Sequence, residues 1–258
     1  MRLKGKVAYI SGGGTGIGRA TAEVFSEQGA KVVVSGLQLE DLRDCVEAIQ
    51  SKGGEVLALQ QDVTQEDSWP QVMEKTIETF GRLDIMVNNA GIALMGNVED
   101  ETLEGWRKTQ AVNIEGVFLG TQAAIKAMKE NGAGSIINIS SIEGLIGEPA
   151  VAAYNASKGA VRIFSKSAAL HCAQNGYNIR VNTLHPGFIE TAMTTTNVVE
   201  QFGEEVAAQV MDGVMAKVPL GRAGQAREMA TSILFLASDD SSYMTGAELV
   251  VDGGYTAQ

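Results

Sequence analysis

Tyr154 and Lys158 stand four residues apart at the start of a stretch with helical period, so both project from one face of that helix. A phenol whose pKa lies near ~10 is a poor base at neutral pH, but an adjacent ammonium favours the phenolate and makes the tyrosine a usable acid/base. Ser141 closes an apolar strand pattern upstream and offers a hydroxyl to a substrate oxygen as charge develops on it. Asn113, inside the long preceding helix, can hold a water that links Lys158 to solvent. Together these four residue types suit the reduction of a carbonyl or the oxidation of an alcohol. Taken alone, Tyr-x-x-x-Lys has a plainer reading, a partly exposed tyrosine beside a solvated lysine. It gains weight here because it follows Ser140-Ser141 at a strand end, in a chain that also carries a glycine turn in the right place.

That turn is Ser11-Gly12-Gly13-Gly14-Thr15-Gly16-Ile17-Gly18-Arg19, between the first strand and the first helix. No three of its glycines have the G-x-G-x-x-G register. It still suits a pyrophosphate, because glycines let the backbone turn sharply and approach an anion while the helix start offers unpaired N–H groups. The end of the second strand then reads the adenosine ribose, by a carboxylate for NAD or an arginine for NADP. Ser35-Gly36-Leu37-Gln38 has neither. With no cation at Leu37 or Thr15, NAD is favoured, and NADP stays open because Gly36 leaves space for a phosphate that Arg43 or Arg19 could reach.

Short runs rich in Val and Ile alternate with longer segments of helical period, which predicts βαβ units and a parallel sheet. Strands are expected at residues 6–11, 31–35, 55–60, 84–88, 135–140, 178–184 and 248–251, and helices at 17–28, 39–52, 66–80, 103–131, 153–175 and 226–237. Nothing reads as a linker or repeat, so residues 1–258 are expected to form a single α/β domain. The one irregular stretch, residues 186–219, carries Thr191, Thr194, Thr195 and Thr196 and then an amphipathic pattern with Met211, Val214 and Met215. It leaves the carboxyl end of a strand, where ligands bind in doubly wound sheets, so a substrate lid over about residues 188–217 is expected. A helical hairpin on the rim is the plainer alternative.

A formal net charge of −11 argues against nucleic acid or an anionic membrane as partner and for a small-molecule ligand. Cys45 and Cys172 lie far apart in predicted helices, which suits reduced thiols and neither a disulfide framework nor a metal-ligand set. No signal-peptide pattern and no membrane-length apolar run is found, so a cytoplasmic location is expected.

With Gly12, Gly16 and Gly18, Asp62-Val63, Asn88-Asn89-Ala90-Gly91, Asn113, Ser141, Tyr154, Lys158, Pro186-Gly187 and Val251-Asp252-Gly253-Gly254 in this order, the chain resembles a classical short-chain dehydrogenase/reductase over essentially its whole length. His185-Pro186-Gly187 and the ending Gly253 to Gln258 look most like bacterial secondary-alcohol dehydrogenases acting on ketones and cyclic alcohols. The resemblance implies a doubly wound Rossmann fold with seven parallel strands in the order 3-2-1-4-5-6-7 and helices on both faces. It implies a cofactor cleft built from Gly12, Gly14, Thr15, Gly16, Ile17, Gly18 and Leu37, with Asp62 and Val63 at adenine and Asn89, Ala90 and Gly91 along the cleft. Pro186, Gly187, Ile189 and Thr191 would lie at the nicotinamide, the last two holding its carboxamide. Tyr154 would be the acid/base, Ser141 the oxygen binder, Lys158 the ribose anchor and Asn113 the relay support. Ser11 stands where the family commonly has Thr, which preserves a hydroxyl.

A homotetramer is also implied, as is a divalent ion near Gln258 in some similar enzymes, structural rather than chemical. Leu145, Phe188, Met193, Met211 and Met215 are candidate walls for a small hydrophobic alcohol or ketone, with core packing the alternative for some of them. Glu143 either touches substrate or orients the loop, or is simply solvated, and His185 reads as structural. The rival readings are a β-ketoacyl-thioester reductase and a cofactor-sensing module without chemistry.

Overall fold

The computed structural model describes residues 1–195, 199 and 203–258. Each strand sends alternate side chains to opposite layers, and the sequence supplies apolar residues for both. In β1 (Val7–Ser11) Ala8 and Ile10 enter one core and Tyr9 the other. Val32 and Val34 part from Val33 in β2 (Lys31–Gly36), and Ile85 and Val87 part from Met86 in β4 (Ile85–Asn88), in the same way. With β3 (Val56–Gln60), β5 (Gly134–Ile139), β6 (Ile179–Pro186) and β9 (Glu248–Val251) these strands form one parallel sheet in the order β3-β2-β1-β4-β5-β6-β9. This is the predicted order, with β9 as the seventh strand.

The first core joins the sheet to Phe25 of α1 (Gly16–Glu27), Leu42 and Ile49 of α2 (Leu39–Gln50) and Ile233 of the C-terminal helix at Ala226–Ala237. The second joins it to Trp69 of α3 (Ser68–Phe80), Met128 of the helix at Gly116–Lys129 and Cys172 of the helix at Ala152–Gln174. Cys45 and Cys172 are free and buried, one in each core. The strand order reverses between β1 and β4, which opens a crevice at their carboxyl ends.

Three departures from the predicted elements bear on that crevice. The single helix expected at 103–131 is α4 (Leu103–Gln110), a π-turn at Ala111–Glu115 and α5 (Gly116–Lys129). The inserted residue escapes a reading based on helical period, and it falls around Asn113. β6 runs on to Pro186, because His185 and Pro186 pair with Val250 and Val251. Beyond α6 (Ala152–Gln174) and β6, the irregular stretch is pinned at its base by β7 (Ile189–Glu190) and β8 (Gly224–Gln225), a parallel pair that was not predicted. Between them lies α7 (Glu204–Met215), followed after β8 by α8 (Ala226–Ala237). Thr196 and residues 197–198 and 200–202 of the expected lid lie outside the described residues. Among the described residues no helix is long and apolar enough to cross a membrane.

Candidate active site

The glycine turn is held open by its neighbours. Gly12 and Gly16 have φ of +63° and +52°, where a side chain would be strained. A Cβ at Gly18 would meet the Gly12 carbonyl oxygen at 2.1 Å, so α1 starts against the turn as only glycine permits. Just past β4, Asn89 Nδ2 donates to the Ser11 and Gly12 carbonyls at 3.0 Å, while the Ser11 hydroxyl accepts from the Asn89 and Ala90 amides at 3.1 Å. The serine thus keeps the hydroxyl function expected of a threonine there. Thr15, the N-cap of α1, makes no side-chain capping bond, and the first turn carries no acidic residue. The helix start keeps its positive end for an anion.

Two adjoining cavities share Gly12, Thr15, Ala90 and Gly91. One extends over β2 and is lined by Gly14, Leu37, Asp62 and Val63. Asp62 there holds Thr64 through one carboxylate oxygen, accepting from its amide at 2.9 Å and its hydroxyl at 2.8 Å. The other, of about 240 Å³, is lined by Gly16, Ile17, Asn89, Ser141, Tyr154, Lys158, Pro186, Gly187, Ile189 and Thr191. Every residue expected at the cofactor therefore lines the cleft except Gly18, which acts behind the turn. A cleft that runs from a carboxylate-lined end, past a bare helix start, to a tyrosine and lysine fits an extended nicotinamide dinucleotide. Asp41, in the first turn of α2, also lines the first cavity and was not anticipated, because its reach depends on how α2 leans on Gly14.

At the second cavity the reactive side chains are gathered by β5 and α6. Lys158 Nζ lies 5.5 Å from the Tyr154 ring centre and donates to the Ile139 carbonyl at 2.9 Å. It is only 3 % exposed, and burial brings its ammonium down to about 8. One of its three donors is thereby used, which leaves two for ribose hydroxyls. Tyr154 is half-buried with its edge on the cavity; poor solvation pushes the phenol up to about 12, against the lowering effect of the Ser141 hydroxyl. The expected lowering of this phenol by Lys158 does not appear: burial dominates, and the charge that bears on it, Glu143, raises it further. Ser141 Oγ accepts from the Glu143 amide at 3.1 Å, so its own proton is free for another acceptor.

Asn113 is fully buried and lines neither cavity. Its Oδ1 accepts from the Ile92 amide at 2.8 Å, and its two amide hydrogens go to the Ile92 carbonyl at 2.8 Å and Ser157 Oγ at 3.0 Å. One lone pair of Oδ1 is what remains of this side chain to join a relay. A Cβ on Gly91 would lie 3.3 Å from that oxygen and 3.5 Å from Lys158 Nζ, so glycine keeps the space between them open.

Of the five candidate substrate walls only Met193 lines this cavity. Phe188 packs instead against Tyr255, ring centres 5.4 Å apart. Ile139, Ala192 and Thr194 line the cavity without having been expected. Glu143 orients the loop: its Oε2 and carbonyl accept from Asn155 Nδ2 at 3.1 and 2.7 Å, and burial raises its carboxyl.

The family profile described as Enoyl-(Acyl carrier protein) reductase matches residues 12–256. The chain is 49% identical to an NADP-dependent (R)-specific alcohol dehydrogenase of Lentilactobacillus kefiri, over 100% of this chain and 99% of that one. It is 41% identical to a cyclopentanol dehydrogenase of Comamonas testosteroni, with 99% of each covered. Among solved structures, levodione reductase superposes with a TM-score of 0.95 at 33% identity, covering 99% of both chains. Fold, cleft and these full-length likenesses agree: the chain belongs to the short-chain dehydrogenases/reductases, oxidoreductases that use NAD(P).

Proposed function

We propose that this protein interconverts a small hydrophobic secondary or cyclic alcohol and its ketone, with Tyr154 as acid/base. The observation that carries the reading is the meeting of Ser141, Tyr154 and Lys158 on the wall of one cavity continuous with the glycine turn. The bound nicotinamide supplies or accepts the hydride. In the reducing direction the Ser141 hydroxyl donates to the carbonyl oxygen and the Tyr154 phenol delivers its proton there as charge develops. A phenol held protonated at neutral pH is ready for that step. Lys158 then stabilises the phenolate left behind, and its remaining donors hold the ribose. The segment over about residues 188–217 serves as the lid, with Met193 as its apolar contribution to the cavity.

NAD is the proposed cofactor, although the L. kefiri relative is NADP-dependent and lends that preference no support. What supports it is the lining of the first cavity, whose charged groups are Asp41 and Asp62 with no cation among them. Arg19 is paired with Glu23 at 3.1 Å, and Arg43 is exposed. A 2′-phosphate would meet carboxylates at this end. Absorbance at the reduced-nicotinamide band, with NADH and NADPH in turn against cyclic and aryl ketones, tests both statements. Turnover with a lower KM for NADH is expected, and Asp41→Asn narrows the gap. No oxidation of either cofactor by any ketone, with both demonstrably bound, would remove the dehydrogenase reading; a lower KM for NADPH would remove the NAD preference alone.

A cytoplasmic homotetramer is proposed as the working form. Phe118 of α5 and Ile163 and Leu170 of α6 are 45 %, 60 % and 61 % exposed, an apolar face that a second copy would cover. Sedimentation velocity at micromolar concentration is expected to show four chains per particle, and a monomer would refute it.

A further inference from the structure

His185 has no exposed surface, and both its ring nitrogens are engaged. Nδ1 lies 2.9 Å from the Ser141 carbonyl oxygen and Nε2 lies 2.9 Å from Thr183 Oγ1. A carbonyl only accepts, so Nδ1 carries the proton; in the neutral ring Nε2 then accepts from the threonine hydroxyl, whose other acceptor, the Ala247 carbonyl, lies farther off at 3.3 Å. Burial lowers the imidazole pKa, which favours this neutral tautomer; the charged groups that bear on it are Glu248, Arg162 and Lys158.

The place of this contact in the sheet gives it meaning. The β5–β6 ladder ends with the Ser140 amide donating to the Leu184 carbonyl at 2.8 Å. The next rung of a parallel ladder would need an amide from Pro186, which has none. Ser141 is the first residue past that end. Its carbonyl also accepts from the Gly144 amide at 3.0 Å, but that bond fixes it only to the turn that follows. The rung missing at Pro186 would have ended on the Ser140 carbonyl, and the imidazole ties the next peptide, that of Ser141, to β6 instead.

We infer that His185 is a positioning residue for the reaction: its side chain extends the β5–β6 ladder by one rung and holds the Ser141 peptide, and so the Ser141 hydroxyl, against the substrate oxygen. This rests on the reading of Ser141 as the oxygen binder.

His185→Asn and His185→Gln separate the two nitrogens, since asparagine keeps a donor near the Nδ1 position and glutamine keeps a polar group near Nε2 only. In the NADH-linked ketone assay, with Ser141→Ala alongside, the Gln variant is expected to lose about tenfold in kcat/KM for the ketone, roughly one hydrogen bond of barrier. The Asn variant is expected to stay within about threefold of the parent. Both should bind NADH, followed by its fluorescence, with the parent's dissociation constant. Equal kcat/KM in the two variants, or losses that track weakened NADH binding, would overturn the proposal while an impaired Ser141→Ala left the wider reading standing. A Ser141→Ala variant with full turnover would overturn both.

Discussion

Tyr154→Phe is expected to lose about 10²–10⁴-fold in turnover, the usual share of a positioned acid/base, while cofactor affinity stays as it was. The phenyl ring keeps the shape that lines the cavity and its position 5.5 Å from Lys158 Nζ, so only the transferable proton is removed. Steady-state kinetics with the accepted ketone and a fluorescence titration of the reduced cofactor measure the two halves separately. A variant that turns over at the parent's rate would end the assignment of Tyr154. A variant that loses cofactor binding along with turnover would show that the hydroxyl acts through the ribose.

Lys158→Met is expected to abolish turnover and yet raise thermal stability. The lysine is buried, and its ammonium is brought from 10.5 down to about 8, so the folded state carries a desolvated charge at neutral pH. One pKa unit is about 1.36 kcal/mol, whereas the bond to the Ile139 carbonyl returns about 1 kcal/mol. The net penalty is then on the order of 2 kcal/mol, which for a chain of this length corresponds to a Tm gain of about 4–8 °C in the variant. The sign with pH follows. Below about 8 both folded and unfolded lysine are protonated and the penalty is complete; between about 8 and 10.5 only the unfolded chain holds the proton, so the parent's stability rises with pH. Tyr154, with its phenol raised from 10.0 to about 12, acts in the opposite sense only above about pH 10. Calorimetry of parent and variant from pH 7 to 9.5 should therefore show the gap closing. A variant less stable than the parent at pH 7 would mean that the hydrogen bond outweighs the buried charge.

How far the sequence discloses this depends on the kind of signal. The strands of the sheet are legible because each is short, apolar and bounded, and β9 and α8 fall on the predicted residues. That Gly12, Ser141, Tyr154 and Lys158 meet on one cavity wall is legible because the strand ends fix their neighbourhood. The π-turn around Asn113 was hidden, since one extra residue in a helix leaves the apolar period nearly intact. The β7–β8 pair was hidden because a two-residue ladder leaves no periodic trace. Asp41 escaped for a third reason, and the structural reading of His185 named no partner. A carboxylate in a first helical turn and a histidine in a strand each have an ordinary local explanation, and their significance comes from Gly14 and from the Ser141 carbonyl, which only the folded chain brings near.

The pinning of the excursion has an evolutionary consequence. Because Ile189–Glu190 and Gly224–Gln225 pair with each other, both ends of the intervening stretch are anchored independently of its contents. Lengthening a loop between fixed ends costs little, about 0.6 kcal/mol for each doubling. On the proposed reading, the stretch can therefore be exchanged or resized as a cassette, changing which molecules reach Tyr154 while Ser141 past β5 and Tyr154 and Lys158 on α6 stay untouched.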